Sequence, residues 1–294
     1  IPQAERNTVG VPVRSVLATF AKRNQTVSAV LSTDLTLDSV EDDRVVVMLT
    51  NQGKVSVASA ASMLGNKGKM VIKLEKGDRL KQVMFARTSD HLFISGTGKD
   101  DSAKVLHCRV SDFRIVKSAC RPIAGIKSIE EKKTEDEEEN DEDEEIEDED
   151  EDDSEILPTK TAGMIIVPEE RMRSADEDTG PFILYTTVRG KGKVTPANSY
   201  RLLSRGRSGV RCMKFKKGGD DSLATITLID RIADDVTDEI LLSTTGGISN
   251  RISVKDLPRR SASDSIGAAI IKLDADDTLK SANFLPSEVV SELA

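Results

Sequence analysis

The chain has 294 residues with 42 Lys+Arg against 51 Asp+Glu, a net charge of −9, 3% aromatic residues, no Trp and three cysteines. Cys108, Cys120 and Cys212 are irregularly spaced with no CxxC pair, which argues against a disulfide framework or a zinc site and points to a reducing compartment. No 18-residue apolar stretch and no signal-like opening segment occur, so neither a membrane helix nor a secretory leader is expected.

Ile1-Pro2-Gln3 enters in the middle of a repeat unit, and a longer protein is expected to continue upstream. The first unit reaches a step into an apolar run at Gly10-Val11. The second is complete. Val45 to Thr50 is an apolar strand, Asn51-Gln52-Gly53 a turn, and Lys54-Val55-Ser56-Val57 an alternating strand. Asn66-Lys67-Gly68 then leads to Val71-Ile72-Lys73-Leu74, and Lys76-Gly77-Asp78 turns the chain into Leu80 to Phe85. Strict alternation with glycine turns at short spacing predicts half-buried antiparallel strands. The third unit is degraded: His91 to Ser95, Val105 to Val110, Arg121, and Gly125-Ile126, with a closing strand at Gly163 to Val167. Between these lies Glu130 to Glu155, with 20 acidic residues and 2 lysines. It is too charged to fold alone and is expected, over residues 130–157, to be a disordered insertion in a loop. Its removal leaves the rest of the chain net basic, which suits a polyanionic partner. The fourth unit runs from Phe182 to Thr186 through Gly190-Lys191-Gly192 and Arg205-Gly206-Arg207-Ser208-Gly209-Val210 to Met213-Lys214-Phe215. The fifth runs from Ile240 to Thr244 through Arg251 to Val254 and Ile266-Gly267 to Ile270-Ile271-Lys272-Leu273.

Gly10, Gly68, Gly125, Gly209 and Gly267 recur at intervals of about 58 residues once the acidic run is left out, the signature of a repeat architecture. Four-stranded units repeated radially form a propeller-like body. The absence of Trp removes the WD40 version. The expected fold class is all-β, with residues 1–294 forming a single domain.

Three stretches resemble the C-terminal domain of the A subunit of DNA gyrase, and that of its topoisomerase IV counterpart. Pro2 to Pro12 is similar to that family's Pro-Glu-x-x-Arg-x-x-x-Gly-x-Pro segment. Ile72-Lys73-Leu74-Glu75-Lys76-Gly77-Asp78-Arg79-Leu80 resembles its strand-turn-strand, and Gly190 to Pro196 followed by Tyr200-Arg201 its Gly-Tyr-Gly-Lys-Arg-Thr segment. The resemblance implies a six-bladed β-pinwheel whose basic rim bends duplex DNA in support of ATP-dependent negative supercoiling. It also implies partnership with the rest of the A subunit, and with the ATPase B subunit of an A2B2 complex. The parent enzyme would need ATP and Mg2+, and no cofactor is expected in this segment. The family's basic box, Gln-Arg-Arg-Gly-Gly-Lys-Gly, is not found in the chain; in relatives it lies upstream of the matching start, which leaves gyrase and topoisomerase IV both open. The long insertion and divergent third unit resemble organellar gyrases, so a chloroplast or mitochondrion is expected ahead of a bacterial cytoplasm.

Phosphate contact needs outward-facing Lys and Arg on a rigid frame. The expected DNA-binding residues are Arg6, Lys67, Lys69, Arg121, Lys191, Lys193, Arg201, Arg205, Arg207, Arg211, Arg259 and Arg260. The alternatives are that these cations only solvate strand faces, or that the rim docks an acidic protein. The glycines read mainly as turn residues with positive φ, with approach to phosphate an added role at Gly206 and Gly209. Tyr185 and Tyr200, the only tyrosines, sit in apolar surroundings and read as packing rather than as nucleophiles. His91 and His107 read as isolated structural residues, and no catalytic or metal-ligating set is expected in this segment.

Overall fold

Val45 to Thr50 is apolar at almost every position because neighbours cover both faces of this strand. Val45, Val47 and Leu49 point into one buried cluster, and Val46 and Met48 into another. The same holds for Phe182 to Tyr185, whose alternate side chains enter two further clusters. A strand read as one continuous apolar run is thus a strand covered on both faces, by the next sheet on one side of Val45 to Thr50 and by the helix at Ala60–Leu64 and the Val71-Ile72 segment on the other.

The computed structural model describes residues 15, 27–32, 43–64, 70–97, 102–116, 120–126, 160–176, 179–217, 219–233, 235, 237–260 and 266–288. Arg6, Gly10, Lys67, Gly68, Lys69 and the expected insertion at 130–157 lie outside the described residues. Sixteen strands are described, in four sheets. The first contains β1 (Val45–Thr50), β2 (Lys54–Ser59), β3 (Leu80–Ala86), β6 (Ile115–Val116) and β7 (Ile123–Ala124). The second contains β4 (His91–Thr97), β5 (Ser102–Arg109), β8 (Lys160–Val167) and β11 (Val210–Lys214). The third contains β9 (Phe182–Thr187), β10 (Lys191–Pro196), β12 (Leu223–Ile229) and β15 (Ala268–Ala269). The fourth contains β13 (Glu239–Thr244), β14 (Ser249–Ser253) and β16 (Leu279–Leu285). Two short helices, α1 (Ala60–Leu64) and α2 (Glu169–Arg173), follow β2 and β8. No described helix is long and apolar enough to cross a membrane.

The strand order shows where the fourth strand of a sheet comes from. In the second sheet the order is β11-β5-β4-β8, and in the third β12-β9-β10-β15. The outermost strand of each comes from the next unit in the chain. β6 and β7 complete the sheet of β1 to β3 in the same way. Each described blade therefore holds three strands of its own unit, and the first three also receive strands lent by the unit that follows.

The closing strands β3, β8, β12 and β16 contact one another in succession, β3 to β8, β8 to β12 and β12 to β16. They form the hub side of the array, and the lent strands lie at the opposite edge. Gln82 of β3 ties two blades there: its Oε1 accepts from Met164 N at 2.8 Å and its Nε2 donates to Met164 O at 2.9 Å. Thr227 Oγ1 on β12 donates to Ala282 O on β16 at 2.7 Å. The apolar clusters lie between adjacent blades, so the core belongs to the array and not to single units. The expected Gly-Asp turn also holds. Gly77 has φ +84°, and Asp78 Oδ1 accepts from the backbone N–H of Gln52 and Arg79, clamping the hairpin of its own blade.

Candidate nucleic-acid interface

Strand lending places the basic segments. After its second strand, each of the last three units crosses to the preceding blade and runs first parallel, then antiparallel, to that blade's second strand. The parallel leg pairs Ile115 with Val57, donates Leu203 N to His107 O at 2.8 Å and Arg260 N to Val194 O at 3.0 Å. The returning leg pairs Ile123 with Val55, Val210 with Val105, and Ala268 with Gly192. These three connectors carry Arg114 and Arg121, then Arg201, Arg205, Arg207 and Arg211, then Arg259 and Arg260. All eight side chains are exposed, at the edge remote from the hub. Gly206 N donates to Gly125 O at 2.7 Å, so the connectors of two neighbouring blades touch.

Glycine makes the crossing possible. A Cβ on Gly209 would lie 2.5 Å from Val105 O, and one on Gly267 2.9 Å from Gly192 O, both at positive φ. The close partner is the backbone of the preceding blade. Gly206 also has positive φ but open space around it, so it serves only the turn between Arg205 and Arg207. Gly125 is out of step with the others. Its N–H and that of Ile126 donate to Gly53 O, as those of Ile270 and Ile271 donate to Gly190 O. Gly125 therefore matches Ile270, and Pro122 stands where Gly209 and Gly267 do.

Two expected contact residues fail on burial or pairing. Lys193 is 0% exposed on β10, opposite Tyr185, and cannot reach a phosphate. Alternation fixed its face, and the basic neighbourhood concealed it. Lys191 is half-buried and its Nζ lies 3.2 Å from Asp221 Oδ2, so its charge is already matched. Arg189 is likewise paired with Asp220. By contrast, Arg121, Arg201, Arg205 and Arg207 have no acidic partner among the described residues. Arg259 lies over the Phe182 ring, 5.2 Å from its centroid.

Tyr185 and Tyr200 are core residues, as expected. They pack edge to face with centroids 6.2 Å apart, and burial raises both phenols well above their ordinary range. Burial pushes the Cys108 and Cys212 thiols up to about 12, which suits inert packing.

The histidines are not isolated. His91 on β4 and His107 on β5 are 6% and 4% exposed, and His91 Nδ1 lies 2.7 Å from His107 Nε2. His107 Nδ1 lies 2.8 Å from Tyr200 O, and His91 Nε2 lies 2.7 Å from Glu169 Oε2. Burial lowers His107 to about 4. Hydrogen bonds from Arg109 and His91 hold Glu169 down at about 2. The signal was the register: His91 pairs with Arg109, so His107 sits two residues along on the same sheet face.

Residues 44–87, 182–230 and 238–285 match the family described as "DNA gyrase C-terminal domain, beta-propeller". These spans are the first, third and fourth blades, each with its own three strands and without the unit that carries the insertion. Three of the four described blades are thus repeats of the DNA gyrase C-terminal domain type. It is 28% identical over 308 residues to the A subunit of DNA gyrase from Synechocystis sp., a match covering 100% of this chain and 32% of the relative. It is 24% identical over 300 residues to the chloroplastic/mitochondrial A subunit of DNA gyrase from Arabidopsis thaliana, covering 97% of this chain and 27% of the relative. The chain thus spans about a third or less of these gyrase proteins. Among solved structures, a DNA gyrase A C-terminal domain superposes with TM-score 0.59 at 21% identity, covering 86% of this chain and 68% of that one. A topoisomerase IV C-terminal domain superposes with TM-score 0.61 at 16% identity, covering 86% and 67%. Both likenesses establish the fold, and the propeller expected from the repeat is the architecture found.

Proposed function

We propose that this chain is the DNA-binding and DNA-wrapping domain of a gyrase A subunit. The observation that carries this reading is the exposed arginine border on the connectors of three successive units, held on one edge by strand lending. Bending a site of 20 to 30 bp through 40–90° costs on the order of 1–6 kcal/mol, which contacts from several blades together must offset. A border that crosses blades supplies such contacts, and they grip phosphates without reading sequence. The curated relatives, named as A subunits of gyrase, favour gyrase over topoisomerase IV. Cleavage belongs to the remainder of the A subunit, whereas ATP and Mg2+ belong to the complete A2B2 enzyme. Organelle-targeted plant relatives support placing the parent protein in a chloroplast or mitochondrion.

Titration of a labelled duplex at increasing salt tests the reading. Each neutralised phosphate contributes about −0.9 to the slope of log K against log[salt]. A steep slope that shrinks when Arg201, Arg205 and Arg207 are changed to Ala is expected; a flat response would overturn it in favour of a protein-docking rim.

A further inference from the structure

We propose that His91 and His107 are positioning residues for the connector that carries Arg201, Arg205 and Arg207, and that one proton shared along the line Tyr200–His107–His91–Glu169 locks this connector in place. The inference rests on the reading that the rim binds duplex DNA.

Proton counting carries it. Tyr200 O only accepts hydrogen bonds, and so does an ionised Glu169 carboxylate. The contact of 2.8 Å to Tyr200 O therefore needs a proton on His107 Nδ1, and the contact of 2.7 Å to Glu169 needs one on His91 Nε2. The 2.7 Å contact between the rings needs a third. Two neutral imidazoles hold only two, so the pair carries one positive charge. Burial disfavours that charge on His107, and the ring in contact with the Glu169 carboxylate is that of His91. The other charged groups around the line are Arg109 and Arg173, both bonded to Glu169. Asp90 accepts from Glu169 N, and Asp112 accepts from Arg109 N.

Removing the third proton breaks one link. The carboxylate holds the His91 Nε2–H firmly, so His91 gives up its Nδ1 proton, His107 changes tautomer to donate from Nε2 to His91 Nδ1, and the lone pair of His107 Nδ1 turns on Tyr200 O. The His107 ring is stacked on Phe93 at 4.2 Å between centroids and cannot turn aside. Tyr200 immediately precedes Arg201, so the end of the connector that loses its anchor is the end leading into the arginines. DNA affinity is then expected to fall as pH rises.

The chain has only two histidines, which makes the test sharp. Duplex affinity of the full chain is measured by anisotropy at fixed ionic strength between about pH 5.5 and 8.5, the range in which imidazole titrates. Wild type should weaken by about 2- to 10-fold with rising pH, the worth of one hydrogen bond. Glu169→Gln should bind with the tighter affinity throughout, because its amide can donate to a neutral His91 and complete the line with two ring protons. A flat wild-type profile, or an unchanged profile in Glu169→Gln, overturns the proposal. Absence of DNA binding at every pH would instead overturn the rim reading. The proton count is then judged by long-range 1H–15N spectra of the two rings. Three protonated nitrogens falling to two, with the loss at His107 Nδ1, support it; two at every pH, or four at the acid end of that range, refute it.

Discussion

Gly209 and Gly206 lie three residues apart with nearly the same backbone, φ +73° and +74°, yet they do different work. At Gly206 a methyl group would enter open space, so Gly206→Ala should cost only the left-handed conformation, about 1 kcal/mol. At Gly209 the same methyl would collide with the Val105 carbonyl, so Gly209→Ala should cost at least about 2 kcal/mol more, because the backbone of β5 and the connector must separate. Urea unfolding of both variants measures the difference, and equal losses would contradict the close approach. Acid sensitivity is also set by single residues. His107 is lowered from 6.5 to about 4, so the unfolded chain takes up its proton first and stability falls as pH drops through that interval. Glu169 is lowered from 4.5 to about 2, so its contribution is present above about pH 4.5 and is lost as pH falls towards 2. Urea midpoints should decline across both windows, and His107→Asn should flatten the first. A midpoint independent of pH between 6.5 and 4 would show that His107 is not buried neutral.

Among the elements, the connectors were half legible in sequence. The basic step into Gly209 and the apolar run after it were visible, as were the glycine-bearing turns at Gly53, Gly77 and Gly190. What could not be read was the destination of the lent strand, because a short strand such as Ala268–Ala269 pairs equally well, by pattern, with its own blade or with the one before it. The same limit hid the displaced register of Gly125, since its spacing agreed with the others while its hydrogen bonds do not. Lys193 failed for another reason: its neighbours are basic, but alternation on β10 turns it inward. The acidic segment tests the elements together. It lies in sequence between β7, a rim strand, and β8, a hub strand, and its charge is that of a competitor for the arginines. Deleting Glu130 to Glu155 should tighten duplex binding at low salt and matter less at high salt, where the attraction is screened. Unchanged low-salt affinity would remove self-competition from the account.

At the scale of the molecule, radial repetition, hub contacts and strand lending converge on one arrangement. The hub side holds β3, β8, β12 and β16, the clusters between blades form the core, and the far edge carries the cations. The propeller class followed from the repeat, whereas the identity of the hub strands needed coordinates, since nothing in Leu80 to Ala86 distinguishes a strand facing the axis from one facing solvent. The central claim is that arginines on lent connectors curve a duplex and do not merely attract it. Förster transfer between dyes at the two ends of a duplex long enough to span several blades tests this most directly. Transfer should rise when the wild-type chain binds and stay at the free-DNA value, at protein concentrations that restore binding, when Arg205, Arg207 and Arg211 are changed to Glu. A saturated wild-type complex whose duplex ends remain as far apart as in free DNA would contradict it.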